Sequence, residues 1–266
     1  MSLITYWIPA AREGDKLGTF NISTISAFVA CGAGVVVAKH GNRCVSSICG
    51  SADILEALGV NINMDREKIK KSLEEIGIAF LYAPNMHKAM KNVMPARKQI
   101  AGKTIFNILG PLINPARATN QLIGVYAAKW LPVLARVLGN LGSKHVLVVH
   151  GADGLDEVTT TDRTFVSELN HGGIKNYEIS PEDFGFKRAR IEDLSGGSLF
   201  DNVQIAQDIL GGKDGFKRDI VLLNAGCAIY AADKAGSVKE GVKLAVQSID
   251  SKAALRKLEL LKEYSR

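Results

Sequence analysis

Hydrophobic and polar positions follow two rhythms along this chain. Short apolar runs alternate with longer stretches in which apolar residues recur at helical spacing. Residues 35–38 (VVVA) follow a helical stretch at 24–31 and a break at Gly32 and Gly34. Residues 121–126 (QLIGVY) precede a helical run at 131–141, whose Pro132 stands where a first helical turn tolerates it. Residues 145–149 (HVLVV) carry no polar interruption after His145 and predict a buried strand. Strand, helix and strand at this spacing form a βαβ unit, which predicts a parallel sheet. The expected fold class is α/β, a mainly parallel central sheet flanked by helices.

Two stretches depart from the rhythm. Residues 51–77 read as two successive helices, SADILEALG and DREKIKKSLEEIG, each closed by a glycine. With no strand between them they predict a small helical subdomain or a cap on the sheet. The C-terminal stretch is helical too, with Leu244, Val246, Ile249, Leu255, Leu258 and Leu261 forming an apolar stripe suited to packing on the sheet. There is no tandem repeat and no low-complexity segment.

With 266 residues, 47% hydrophobic and 23% charged, the composition excludes a disordered chain and suits one to two domains with a sizeable core. The net charge of +6 is spread along the sequence and suits small anionic ligands as well as nucleic acid. Cys31, Cys44, Cys49 and Cys227 form no C-x-x-C pair, which points to a reduced compartment rather than a disulfide framework. No apolar run has the length of a membrane span, and the apolar opening MSLITYWIPA lacks a basic stretch before it. The expected location is the cytoplasm.

Candidate chemistry falls at the junctions between elements. Thr19-Phe20-Asn21-Ile22-Ser23-Thr24 leads into a helix, as an ordinary N-cap or as an anion site. Gly14-Asp15 and Gly18 just upstream allow a loop to approach a phosphate. Lys39-His40-Gly41-Asn42-Arg43 directly follows the VVVA strand, where open α/β sheets bind ligands, and Ser46, Ser47 and Ser51 add hydroxyl donors. His150-Gly-Ala-Asp-Gly-Leu-Asp156-Glu157 follows the HVLVV strand, and its carboxylates are hard ligands suited to Mg²⁺. Arg97 has the fork for a carboxylate, although its spacing equally suits a surface ion pair. His87, His145 and His171 match no ligand or triad spacing, and the chain has no Ser/His/Asp triad, Walker loop or dinucleotide fingerprint.

Five segments, GDKLGTFNIST, AKHGNRCVSSICGSADILEALG, MPARKQIAGKTIFNILGPLINPA, VVHGADGLDE and RDIVLLNAGCAIYAA, resemble the anthranilate phosphoribosyltransferase family from about Gly14 to the C-terminus. The resemblance implies a nucleoside-phosphorylase-like fold, with an α/β domain at 14–50 and 80–266 joined to part of a smaller helical domain at 51–79. It implies transfer of phosphoribose from phosphoribosyl pyrophosphate (PRPP) to the amine of anthranilate, in tryptophan biosynthesis, with Mg²⁺ and commonly as a homodimer. On it, Gly14, Asp15, Thr19, Asn21, Ile22, Ser23, Thr24, Lys39, His40, Gly41, Asn42, Arg43, Ser46, Ser47 and Ser51 line a PRPP site. Asn42 and Arg97 face anthranilate, and Ser23, Asp156 and Glu157 serve Mg²⁺. No residue has to act as a covalent nucleophile or general base.

The chain also departs from the family. The family's phosphate loop has the form G-T-G-G-D, where this sequence has Ala11-Arg12-Glu13-Gly14-Asp15. Loss of glycine limits backbone approach, and Glu13 brings negative charge towards a phosphate, so PRPP binding is expected to weaken. Residues 1–13 read as a fragment start, a misread gene start or a diverged terminus, and the family's leading helical segment has no counterpart in this sequence. Weak or absent transferase activity is therefore expected. Competing readings are a pyrimidine nucleoside phosphorylase relative and a non-catalytic paralogue that binds nucleic acid through a basic face.

Overall fold

The computed structural model describes residues 3–7, 18–43, 49–87 and 106–266. Seven strands form one sheet: β1 (Leu3–Trp7), β2 (Val36–Gly41), β3 (Ile78–Tyr82), β4 (Asn120–Gly124), β5 (His145–Gly151), β6 (Thr164–Asn170) and β7 (Gly173–Ile179). Their order is β3-β2-β1-β4-β5-β6-β7. The first five strands run parallel, and β6 and β7 add an antiparallel flank. The chain builds outward from β1 to β2 and β3, then returns to its other side with β4. That reversal leaves a switch point between β1 and β4, where ligands of open α/β sheets bind beyond the carboxyl ends of the strands.

Ten α-helices accompany the sheet among the described residues: α1 (Ile22–Gly32), α2 (Ser51–Ala57), α3 (Arg66–Glu75), α4 (Ala83–Met86), α5 (Phe106–Leu109), α6 (Leu131–Asn140), α7 (Leu199–Leu210), α8 (Phe216–Ala231), α9 (Val238–Asp250) and α10 (Ala253–Ser265). Local chemistry sets many of their ends. Asp65 caps α3 by accepting from Lys68 N at 2.8 Å, and Ser198 and Ser237 cap α7 and α9 in the same way at 3.2 Å. Gly59 and Gly77 stop the helices that precede them with φ of +94° and +81°, as the two closing glycines predicted.

Alternate residues of β5 serve two cores. Leu147 and Val149 join the larger one, built chiefly on α1, α2, α8, α9 and α10. Val146 and Val148 join a smaller one under α6, with Leu134 and Leu138. Both faces of the sheet are therefore covered, as the uninterrupted apolar strand predicted. Helix α8 is almost wholly buried. It meets α9 at bare backbone, where a Cβ on Gly226 would stand 2.7 Å from Val242 N.

The pair α2–α3 forms the crossover from β2 to the parallel strand β3. Its Ile54, Leu55, Ile62 and Ile69 bury in the same core as the sheet. The expected C-terminal helix is broken in two at Lys252, which adopts φ +60°, and Ile249, Leu258 and Leu261 are the fully buried members of its stripe. Among the described residues, no helix is long and apolar enough to cross a membrane.

Candidate functional site

The site grows from the carboxyl ends of β2, β3, β4 and β5 and from the start of α1. Asn21 stands at the N-cap of α1, yet its side chain makes no capping bond there. Its amide turns away and donates to Cys49 O at 3.1 Å and Cys49 Sγ at 3.4 Å. The first turn of α1 thus keeps its positive end uncapped by the asparagine, the disposition an anion needs.

A second segment fixes the approach to that turn. Thr19 bridges to Ser195, Phe20 N donates to Leu194 O at 3.2 Å, and Gly196 N donates to Gly18 O at 2.9 Å. Asn21 N donates to Asn202 Oδ1 at 3.1 Å, and Asn202 in turn donates to Gly196 O and Ser198 O. Asn202, buried on α7, was not singled out in the sequence because nothing local distinguishes it.

Lys39 is buried on β2 and donates to Ser23 Oγ at 3.0 Å. Burial pushes its ammonium down to about 8, while the charge of Glu157 works the other way. Ser23, Lys39 and Glu157 therefore converge, although they come from α1, β2 and the loop after β5. His40, the next residue, is buried and held well below its ordinary value, to about 3, by desolvation and by the neighbouring His87 and Lys39. Its ring lies 5.1 Å from that of His87. His87 had matched no ligand spacing, but it follows β3 at the same edge of the sheet, and that position was its available signal.

The glycines here permit close contact. A Cβ on Gly41 would run into Ser51 Oγ and stand 2.8 Å from the Phe80 ring. Ser51 Oγ donates to Asn42 O at 3.3 Å, and Asn42 Oδ1 accepts from Arg43 N at 2.8 Å. Arg43 directs its fork to Asp53 and Glu56 of α2, with Tyr82 beneath it at 6.0 Å. Its donors tie the loop to α2 rather than reach into the site.

After β5 the loop folds on itself. Asp153 accepts from Leu155 N at 3.0 Å and from the Thr159 and Thr161 hydroxyls, so its carboxylate shapes the turn. Gly154 adopts φ +98°, which favours glycine. Asp156 and Glu157 remain, 4% and 6% exposed. On one side the Asp156 backbone lies against Gly124. On the other, Val158 is held through both its backbone groups by Asn224.

Two buried carboxylates and the Ser23 hydroxyl make a hard oxygen set. It fits a Mg²⁺ that takes its other ligands from substrate phosphates and water. Among the described residues, no group of three or more His, Cys, Asp or Glu side chains could hold a metal by itself. Thr24 is buried one residue after Ser23 on α1. Gly14, Asp15, Ser46, Ser47 and Arg97, with the altered residues Ala11–Glu13, lie outside the described residues.

The model of the glycosyl transferase family, a/b domain, matches residues 12–255. Anthranilate phosphoribosyltransferase of Symbiobacterium thermophilum is 52% identical over 252 residues, covering 95% of this chain and 74% of that protein. The enzyme of that name from Persephonella marina is 55% identical over 254 residues, covering 95% and 75%. Among solved structures, anthranilate phosphoribosyltransferase from Thermus thermophilus superposes with a TM-score of 0.93 at 41% identity, covering all of this chain and 78% of that one. The Saccharomyces cerevisiae enzyme, solved in complex with PRPP and Mg, superposes with a TM-score of 0.88 at 28% identity, covering 100% and 74%.

Proposed function

The chain belongs to the anthranilate phosphoribosyltransferase family, and from that premise we propose that its strand-end site transfers the phosphoribosyl group of PRPP to the amine of anthranilate. The products are N-(5′-phosphoribosyl)anthranilate and pyrophosphate, a step of tryptophan biosynthesis. The observation that carries this reading is the meeting of Ser23, Lys39 and Glu157 beside the uncapped start of α1.

In this reading Ser23, Asp156 and Glu157 hold Mg²⁺, which when bound neutralises negative charge on the pyrophosphate. The start of α1 presents backbone N–H groups to the phosphates. Lys39, kept in place by Ser23, adds a buried positive charge where the leaving group gathers its negative charge. Asn42 and Arg97 orient anthranilate, and the rings of His40 and His87 lie 5.1 Å apart at the same ends of the strands as Asn42. Arg43 fastens its loop to α2 and leaves phosphate contact to its neighbours. Bond breaking at C1 of the ribose asks for charge stabilisation and alignment of the aniline nitrogen, and none of these side chains need form a covalent bond. Resemblance alone supports a cytoplasmic homodimer.

Calorimetry with PRPP, with and without Mg²⁺, on the native chain and on Asp156→Asn tests the reading. Mg²⁺-dependent binding that disappears in the variant supports it. Binding that persists in Asp156→Asn, or that ignores Mg²⁺, rejects it.

A further inference from the structure

Asn224 sits in the middle of α8 with no exposed surface, and its amide bonds both backbone groups of Val158. Its Oδ1 accepts from Val158 N at 3.0 Å, and its Nδ2 donates to Val158 O at 2.7 Å and to Ile220 O at 2.8 Å. Val158 N belongs to the peptide that joins Glu157 to Val158. The asparagine therefore fixes the plane of the peptide bond leaving Glu157 and the one after it. Such a two-point clamp removes rotation about both soft torsions of Val158.

The other side of the carboxylate pair is fixed as well, because the Asp156 carbonyl lies against Gly124 of β4. Asp156 and Glu157 are thus held between the end of a strand and the flank of a helix. Helix α8 also accepts a bond from α1, Ser26 Oγ to Val221 O at 3.3 Å. One helix thereby sets the distance between the helix that carries Ser23 and the loop that carries the two carboxylates. A buried amide of this kind is costly unless all its partners are in place, so it tolerates one loop position and disfavours others.

We propose that Asn224 is a positioning residue for the metal-binding pair, fixing where Asp156 and Glu157 present their oxygens. The proposal rests on the reading that this pair serves Mg²⁺. Its role is the one that outer partners of metal ligands play, orienting the ligands without touching the ion. Removing the clamp frees the loop and raises the Mg²⁺ concentration needed to load PRPP, while the contacts that anthranilate makes stay as they are.

Three variants test this: Asn224→Ala, Asn224→Leu, which keeps the side chain's bulk without its bonds, and Ile229→Ala. Ile229 is equally buried on α8 but lies towards the other end of the sheet, so its variant reports the loss of core stability alone. PRPP binding is measured by calorimetry at stepped Mg²⁺ concentrations, with thermal unfolding and backbone hydrogen exchange of the peptide spanning Val158. Both Asn224 variants are expected to raise the half-saturating Mg²⁺ by roughly 10–100-fold and to speed exchange at Val158. Ile229→Ala is expected to lower the melting temperature while leaving the Mg²⁺ titration in place. A shift of under about two-fold in a folded Asn224 variant, or an equal shift in Ile229→Ala, overturns the proposal. If Asn224→Ala fails to fold, Asn224→Leu decides by the same criterion, and fast exchange at Val158 without a Mg²⁺ shift also counts against it. Mg²⁺-independent PRPP binding by the native chain marks failure of the site reading instead.

Discussion

Gly124 lies so close to Asp156 that a side chain on the glycine would collide with the Asp156 carbonyl oxygen. The obstacle is backbone, which cannot swing aside as a flexible side chain can. Gly124→Ala is therefore expected to push the acidic loop outward. The expected cost is about 1–3 kcal/mol of stability, the usual range for overpacking, together with loss of Mg²⁺-dependent PRPP binding. Thermal unfolding and PRPP calorimetry check this; a variant that binds normally would show that the loop shifts without consequence.

Lys39 offers a way to separate binding from folding. Its ammonium is buried, and burial lowers its proton affinity, so folding disfavours the charged form rather than drawing stability from it. Its place beside Ser23 and Glu157 suits the substrate's charge instead. Lys39→Met is expected to lower kcat by roughly 10²–10³-fold, the loss typical of one deleted electrostatic donor, while the melting temperature changes little. Steady-state kinetics beside thermal unfolding read the two effects, and a variant that melts early yet turns over normally contradicts this assignment.

At the opposite, amino ends of the strands, His145 stands between Asp233 at 2.6 Å and Glu168 at 3.1 Å. Burial opposes its charge, but its bonds to Glu168 and Asp233 prevail and raise its pKa above 6.5. Burial likewise pushes Glu168 up, yet bonds from His145, Tyr230, Tyr177 and Asn170 hold it down to about 2. The histidine's contribution to stability is complete below pH 6.5 and is lost as pH rises through its elevated folded value. The glutamate's contribution is complete above pH 4.5 and is lost as pH falls towards 2. His145→Gln is thus expected to cost about 1.5–3 kcal/mol, the worth of bonds to charged groups, with the largest deficit between pH 4.5 and 6.5. Melting curves across pH measure it, and a deficit that does not change with pH argues against a charged clasp.

How much of this was legible in the sequence depends on how local each signal is. The β4–α6–β5 unit could be read because β5 is an apolar run after His145, β4 carries Leu122 and Ile123, and Pro132 marks the helix start. Strand β7 was not read, since an edge strand with mostly exposed residues carries no apolar run. Strand β1 owes its place to pairing with β2 and β4, partners that lie far along the chain. The site shows the same divide. Lys39, Ser23, Asp156 and Glu157 sit at strand ends and a helix start, where position alone is informative. Asn202 and Asn224 sit within helices, and only the tertiary approach of loops gives them a task. Arg43 carried the right charge for a phosphate, but the sequence could not reveal that Asp53 and Glu56 lie within its reach.

The departure at Ala11-Arg12-Glu13 leads to a further expectation, which rests on charge and on the resemblance. A carboxylate near a phosphate repels it, whereas glycine offers a close backbone without charge. Glu13→Gly is expected to tighten PRPP binding by about ten-fold, or 1.4 kcal/mol. Calorimetry at fixed Mg²⁺ measures the gain, and unchanged affinity would show that position 13 does not face the phosphates.

The central position of β1 also bears on how the protein assembles. Ile4 pairs with Val37 on one side and with Asn120 on the other, so the middle of the sheet closes only after a long stretch of intervening chain has been ordered. Loops of that length carry a large closure entropy, and parallel sheets of high contact order fold slowly. The β1–β4 pairing joins two halves of the sheet whose helices, α1 and α2 with α8, α9 and α10, share one core. That pairing is also the one that creates the switch point, so the molecule acquires its ligand-binding edge only when its sheet becomes whole.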